Sequence, residues 1–339
     1  MKIKPMTKFA ILALSLVLVA CAGGGSEEAG CPAIDGREIN VVATTPMIGE
    51  FVSQVGGENI NLTVLMPPEA NPHTYEPAPQ DAGTIAEADL VFYTGLLYEP
   101  AALVKLLENS ACSTDILSEV GESVFPIEFK EGGHDDHDDH DDHDDEEGHD
   151  DEEGHDDHEG HNHGAYDPHF WFDPSRVAYA AEYIESRLIQ FDPENESSYK
   201  SSADSFVSEL NDLTKQVSEL ISTVPSQNRK LITTHESLGY LEAKFGLEVL
   251  STIIPSLNSA NEISPSDLAG VIDVIEDNNV KVIFIESEAP SVYSETIVAE
   301  TGIKSVTGLY VETLKPGQSY SEFLISNVKL ITENLQDTD

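Results

Sequence analysis

The chain has 339 residues, with 17 Lys+Arg against 63 Asp+Glu and a formal net charge of −46. That balance argues against nucleic acid or anionic lipid headgroups as electrostatic partners and favours a cationic ligand. Hydrophobic residues make up 40% of the chain, enough for folded cores, and the length fits about two domains.

The chain begins with Lys2, Lys4 and Lys8, followed by an apolar run from Phe9 to Ala20. A membrane-spanning helix needs about 20 residues, so this shorter run reads as the core of a secretory signal at residues 1–20. Leu18-Val19-Ala20-Cys21 resembles a bacterial lipobox, which implies lipidation of Cys21. The alternative is an ordinary signal peptide cut near Ala20. Residues 21–38, with Gly23, Gly24, Gly25, Ser26, Glu27 and Glu28, read as a tether. The expected location is the outer face of the cytoplasmic membrane, periplasmic or extracellular, held by the lipid alone. An exported chain can pair Cys31 with Cys112; two free thiols are the alternative.

Short apolar runs alternate with helical patterns from residue 39 onward. This predicts an α/β protein of two lobes, each a mainly parallel four-stranded sheet with flanking helices, joined by one long backbone helix. In the first lobe, 39–192, strands are predicted at Ile39–Ala43, Asn61–Met66, Asp89–Thr94 and Ser123–Ile127. Helices are predicted at Ile48–Val55, Pro79–Ala86 and Pro100–Glu108, with a further helix after His169.

Residues 131–163 interrupt this lobe with a low-complexity insertion holding 18 Asp+Glu, nine His and no Lys or Arg. Without apolar content it has nothing to bury, so disorder is expected when it is unbound. His134, His137, His140, His143, His149, His155, His158, His161 and His163 alternate with carboxylates, a composition suited to several weak, exchangeable sites for Zn, Ni or Cu. An acidic solubilising loop is the alternative. The rest of the mature chain keeps fourteen basic and forty-five acidic residues, near −31.

Asp192-Pro193-Glu194 is a helix-start signal. Tyr199, Ala203, Phe206, Leu210, Leu213, Val217, Leu220 and Val224 then mark one helical stripe, ended by Pro225. A helix over 193–224 would be roughly 48 Å long. Its stripe is too short for a convincing coiled coil, so a monomer is expected. In the second lobe, 225–339, strands are predicted at Lys230–Thr234, Glu248–Thr252, Lys281–Glu286 and Ser305–Leu309. Helices are predicted at Leu238–Phe245, Pro265–Asn278, Val292–Thr301 and Tyr320–Leu335.

Three histidines lie outside the insertion. His73 follows the second predicted strand, His235 follows the strand Lys230–Thr234 directly, and His169 lies in YDPHFWFDP. Ligands of open α/β sheets bind beyond the carboxyl ends of strands, so the three can converge between the lobes. Three imidazoles with one open position match zinc better than manganese or calcium, which prefer more oxygen donors. Tyr75, Phe170 and Trp171 can form a dry wall. Glu236 and Glu286 are nearby acids, each able to orient a ligating histidine, with Glu286 also a candidate fourth ligand. Weakening of the site is expected below about pH 6.5, where free imidazole protonates.

NPHTYEPAPQDAGTIAEADLVFYTGLLYEP, DPHFWFDP, FDPENESSYKSSADSF and THESLGYLEAKFGL resemble the metal-specific, ZnuA-type substrate-binding proteins of ABC importers. The resemblance runs from about residue 39 through the rest of the chain. It implies that His73, His169 and His235 match the family's three histidines. It also implies a partner permease driven by a separate ATPase, and it makes the His-rich insertion typical of zinc members. Manganese and iron members carry carboxylates at the third and fourth ligand positions, whereas the third position here is His235. The late acid of many members falls at or beside Gly308, with Glu312 the nearest acid. The fourth ligand is then water, Glu286 or a histidine of the insertion.

The reading that follows is a zinc receptor that hands Zn2+ to an ABC permease, without nucleic acid as a partner. One alternative is a secreted zinc hydrolase using the same histidines, although HExxH and GxSxG are both missing. The other is a surface adhesin.

Overall fold

The computed structural model describes residues 31, 34, 36–129, 166–288 and 292–336. Cys21 and all nine insertion histidines lie outside the described residues.

The first lobe runs β1 (Ile39–Ala43), α1 (Pro46–Gly56), β2 (Ile60–Val64), α2 (Pro79–Ala86), β3 (Leu90–Tyr93), α3 (Ala101–Ser110), β4 (Leu117–Glu119) and α4 (Pro174–Phe191). Then comes α5 (Glu196–Ser222). The second lobe runs β5 (Lys230–His235), α6 (Gly239–Phe245), β6 (Glu248–Ile254), α7 (Pro265–Asn278), β7 (Val282–Glu286), α8 (Val292–Thr301), β8 (Lys304–Leu309) and α9 (Tyr320–Gln336).

Both sheets are four-stranded and parallel, in the orders β2-β1-β3-β4 and β6-β5-β7-β8. The central strands are nearly continuous apolar runs because helices cover both of their faces. In each sheet the strand order reverses between the two central strands, β1 and β3 or β5 and β7, all of them pointing the same way. That reversal opens a crevice at their carboxyl ends, the usual ligand position in such sheets.

Several helices begin where short polar side chains satisfy free N–H groups. Thr45 accepts from Ile48 N at the start of α1, and Asp173 accepts from Ser175 N at the start of α4. Ser264 and Asp267 form a reciprocal capping box on α7.

One apolar core runs through both lobes, from Val41 and Phe51 through Phe206 and Leu213 to Phe284 and Phe323. Smaller cores lie on the far faces of the sheets, around Val91 and Leu107 in the first lobe and Ile283 and Ile275 in the second. The shared core is built around α5, which packs on α1 and α4 of the first lobe and α9 of the second. A disulfide joins Cys31 to Cys112.

Three expectations change. The fourth strand of the first sheet is Leu117–Glu119, and Gly121–Val124 is a 3-10 turn ahead of left-handed Phe125, so Ser123–Ile127 is not a strand. The second strand is shifted slightly, to Ile60–Val64. Asp192-Pro193 starts a 3-10 turn, Pro193–Asn195, and Asp192 accepts from Tyr199 Oη and Asn195 Nδ2 instead of capping an α-helix. With 27 residues, α5 is about 40 Å long. Inside α5 the last buried residue is Ile221 in place of the predicted Leu220, which is only partly buried, as expected when a 3.6-residue period drifts off a 3.5-residue pattern; Val224, the end of the predicted stripe, is buried just beyond the helix.

A candidate metal centre between the lobes

A side-chain oxygen holds the backbone N–H of each histidine, from two residues away for His73 and His169 and from a neighbouring strand for His235. In Asn71-Pro72-His73, Asn71 Oδ1 accepts from His73 N–H at 2.9 Å and caps the 3-10 turn Pro72–Thr74. In Asp167-Pro168-His169, Asp167 Oδ1 accepts from His169 N–H at 2.8 Å. Both are turns in which a side-chain oxygen bonds the backbone two residues on, and each proline fixes its own φ. His235 ends β5 and receives its oxygen across the sheet: Glu286, the last residue of β7, accepts from His235 N–H at 3.2 Å.

Two of these carboxylates also set the rings. Asp167 Oδ1 lies 2.8 Å from His169 Nδ1, and Glu286 Oε2 lies 2.5 Å from His235 Nδ1. An acceptor at Nδ1 puts the proton there in the neutral ring and leaves the Nε2 lone pair facing inward.

The three Nε2 atoms surround Glu312. Its Oε1 lies 3.0 Å from His73 Nε2 and 2.9 Å from His235 Nε2, and its Oε2 lies 3.5 Å from His169 Nε2. One ligand atom from each of His73, His169, His235 and Glu312 lies within 4.8 Å of every other. His169 Nε2 and His235 Nε2 are the buried side-chain nitrogens, among the described residues, that make no hydrogen bond. They are close to the carboxylate but off its hydrogen-bonding direction. Buried polar atoms are normally paired, so this pair of orphans fits a site built for an ion.

The electrostatics agree. Burial disfavours charge on His169, but Glu312 and Asp167 outweigh it and push the ring up to about 9. Burial likewise opposes charge on His235, yet Glu286 and Glu312 hold it well above the usual range. Burial would raise Glu312, but His73, His169 and His235 hold it well below the ordinary carboxylate value. The cluster is a cation-binding pocket that protons occupy when no metal does.

Glu312 lies three residues beyond β8, and its carboxylate is fixed from the first lobe. Tyr98 Oη donates to Glu312 Oε2 at 2.9 Å, and Trp171 Nε1 donates to the Val311 carbonyl at 2.8 Å. Tyr98 and Trp171 form the dry wall, with ring centroids 5.1 Å from His73 and 5.5 Å from His169 respectively. Tyr75 does not share it; its hydroxyl bonds Asp81 at the start of α2. A cavity of about 810 Å3 between residues 95–101 and 257–261 reaches the centre, and His73 is the one donor of the four on its wall.

His73, His169 and His235, the three histidines outside the insertion, come together in the structure. Glu286 orients His235 and is not in the facing group of donors. Glu236 is not in it either: its carboxylate accepts from Thr252 Oγ1 at 3.0 Å. Gly308 lies within β8. The acid in the centre is Glu312, and the strand-end rule that singled out His235 also points to it. Replacing Glu286 by Gln is expected to lower metal affinity by about 10- to 100-fold. Chelator competition checks this, and an unchanged affinity would remove Glu286 from the site.

The family model for zinc-uptake complex component A, periplasmic, matches residues 41–334. The high-affinity zinc uptake system protein ZnuA of Bacillus subtilis is 28% identical over 337 residues, covering 96% of each chain. The manganese ABC transporter substrate-binding lipoprotein PsaA of Streptococcus anginosus is 26% identical over 342 residues, covering 98% of this chain and 99% of the relative. The solved periplasmic zinc-binding protein TroA from Treponema pallidum superposes with a TM-score of 0.72 at 21% identity, covering 88% of this chain and 99% of its own.

Proposed function

We propose, from the premise that this chain belongs to the family of periplasmic zinc-uptake complex component A proteins, that it captures Zn2+ at His73, His169, His235 and Glu312 and delivers it to an ABC permease with a separate ATPase. The chain is a metal-binding substrate-binding protein of the ABC type, and its family consists of receptors rather than enzymes. The hydrolase alternative finds no support: the buried Glu312 carboxylate takes the fourth position that a zinc-bound water would need.

The observation that carries zinc over manganese is the donor set. Three imidazoles and one carboxylate suit zinc, whereas manganese favours oxygen. Tyr98 occupies Glu312 Oε2, which favours a single oxygen contact to the ion and a four-coordinate site. The names of the relatives do not decide the metal, since ZnuA is named for zinc and PsaA for manganese.

The relatives named as lipoproteins support lipidation of Cys21 and a place on the outer face of the membrane. The composition of the His-rich insertion fits a collecting tract that raises the local zinc concentration. Protein lacking residues 131–163 is expected to keep one tight zinc site, within about threefold of full-length affinity, and to lose the weaker equivalents. Competition calorimetry with Zn, Mn, Ni and Cu on that protein tests both readings. Manganese binding as tight as zinc would overturn the zinc assignment.

A further inference from the structure

Asn71 differs from the other two residues that hold the backbone of a histidine. Asp167 and Glu286 are carboxylates, and each bonds both the backbone N–H and the Nδ1 of its own histidine. Asn71 has two ends. Its Oδ1 holds His73 N–H, while its Nδ2 crosses to the second lobe and donates to Ser259 Oγ at 3.0 Å and to the Glu288 carbonyl at 3.1 Å. Capping the turn does not require an amide, because Asp and Ser cap as well as Asn. The two donor hydrogens are what Asn adds, and both are used.

The contacted segment is itself tied to the centre. Glu288 accepts from Val311 N–H at 3.2 Å and from Glu312 N–H at 3.3 Å. Glu286, two residues earlier, holds His235. Residues 286–288 therefore hold His235 and Glu312 directly and reach His73 through Asn71. His73 also stands on the wall of the cavity that leads out.

We propose that Asn71 is an interlobe latch, a positioning residue that sets how long the ion stays by tying His73 to the 259 and 286–288 segments of the second lobe. The proposal rests on reading His73, His169, His235 and Glu312 as the zinc donors. An ion leaving through the cavity must pass His73, and His73 moves freely only when the Asn71 bonds break. Partner contacts that draw Ser259 or Glu288 away from Asn71 would release the ion without touching a donor.

The test compares Asn71→Ser, Ser259→Ala and the double variant in the full chain. Serine keeps a neutral cap for His73 but is too short to cross. Zinc dissociation into excess EDTA is followed by stopped-flow fluorescence of Trp171, the one tryptophan of the chain. Asn71→Ser is expected to speed dissociation at least fivefold, with metal-free melting within about 3 °C of wild type. Ser259→Ala alone is expected to speed it about twofold and to add nothing in the Asn71→Ser background, because the two share one contact. A rate within twofold of wild type for Asn71→Ser, or full additivity of the two changes, overturns the latch. If Asn71→Ser fails to fold, an unchanged rate for Ser259→Ala does so. Absence of zinc binding by the wild-type chain would instead overturn the function on which the latch rests.

Discussion

Glu312→Gln is expected to lower zinc affinity at least a hundredfold at pH 8.5, about 2.7 kcal/mol. The change is isosteric, so it opens no cavity, and Tyr98 Oη keeps the backbone carbonyl of residue 312, to which it also donates. What disappears is the negative charge that three imidazoles surround. The ion loses an anionic donor, and an amide oxygen is a far weaker one. A second effect runs the other way. Without Glu312, burial lowers His169 and His235 with less opposition, so protons compete less with the metal. The variant's deficit should therefore be largest at high pH and shrink as pH falls. Chelator competition at pH 8.5 and pH 7 measures both effects, and an affinity within threefold of wild type at pH 8.5 would rule Glu312 out as a donor.

Zinc affinity should rise at least tenfold per pH unit between pH 6.5 and 8.5. A ligating imidazole must be neutral, so every proton displaced adds one decade per unit below the group's pKa. His169 at about 9 supplies one such proton, and His235, held well above the usual imidazole range, supplies a second. Displacing both gives about a hundredfold per unit. The expectation from free imidazole, a loss only below about pH 6.5, is corrected upward because Glu312, Asp167 and Glu286 stabilise the charged rings. The metal-free fold responds in the opposite direction. A histidine raised by folding contributes stability that is complete below about pH 6.5 and is lost as pH rises through about 9. The gain in melting temperature on adding zinc should therefore grow across that window. Calorimetry in buffers of different ionisation enthalpy counts the protons, and a pH-independent affinity would contradict the buried His–carboxylate arrangement.

The central strands were legible because parallel strands buried on both faces leave unbroken apolar runs, as in Val282–Glu286. Edge strand β4 was not. It has three residues, Ser118 is the one buried among them, and the more apolar stretch after Ser123 outweighs it by composition. The start of α4 carries a signal as clear as that of α5, Asp173 before Pro174. Its buried face includes Ala180 and Ala181, which dilute the stripe, so a helix was expected after His169 without a range. The three histidines could be found because each sits at a strand end or in a proline turn. Glu312 was harder, since Glu286 lies at the very end of β7 and looks the better candidate by position. Only the sheet pairing shows that His235 Nδ1 already holds Glu286. Asn71 had no sequence signal beyond its capping position, because its second role depends on a partner 188 residues away.

The ring of imidazoles around one carboxylate lets loading approach an isocoulombic exchange. At a pH where the raised His169 and His235 both carry a proton, two protons leave as one divalent ion arrives, and the charge buried between the lobes is then the same before and after. A docking permease then meets the same electrostatic field from a full receptor as from an empty one. Recognition of the loaded state must come from shape, through the relative placement of the first-lobe turn at Asn71 and the second-lobe edge at Ser259 and Glu288. The strong negative potential of the surface governs how often receptor and permease meet, and salt will tune it. The discrimination between full and empty should be largely insensitive to salt.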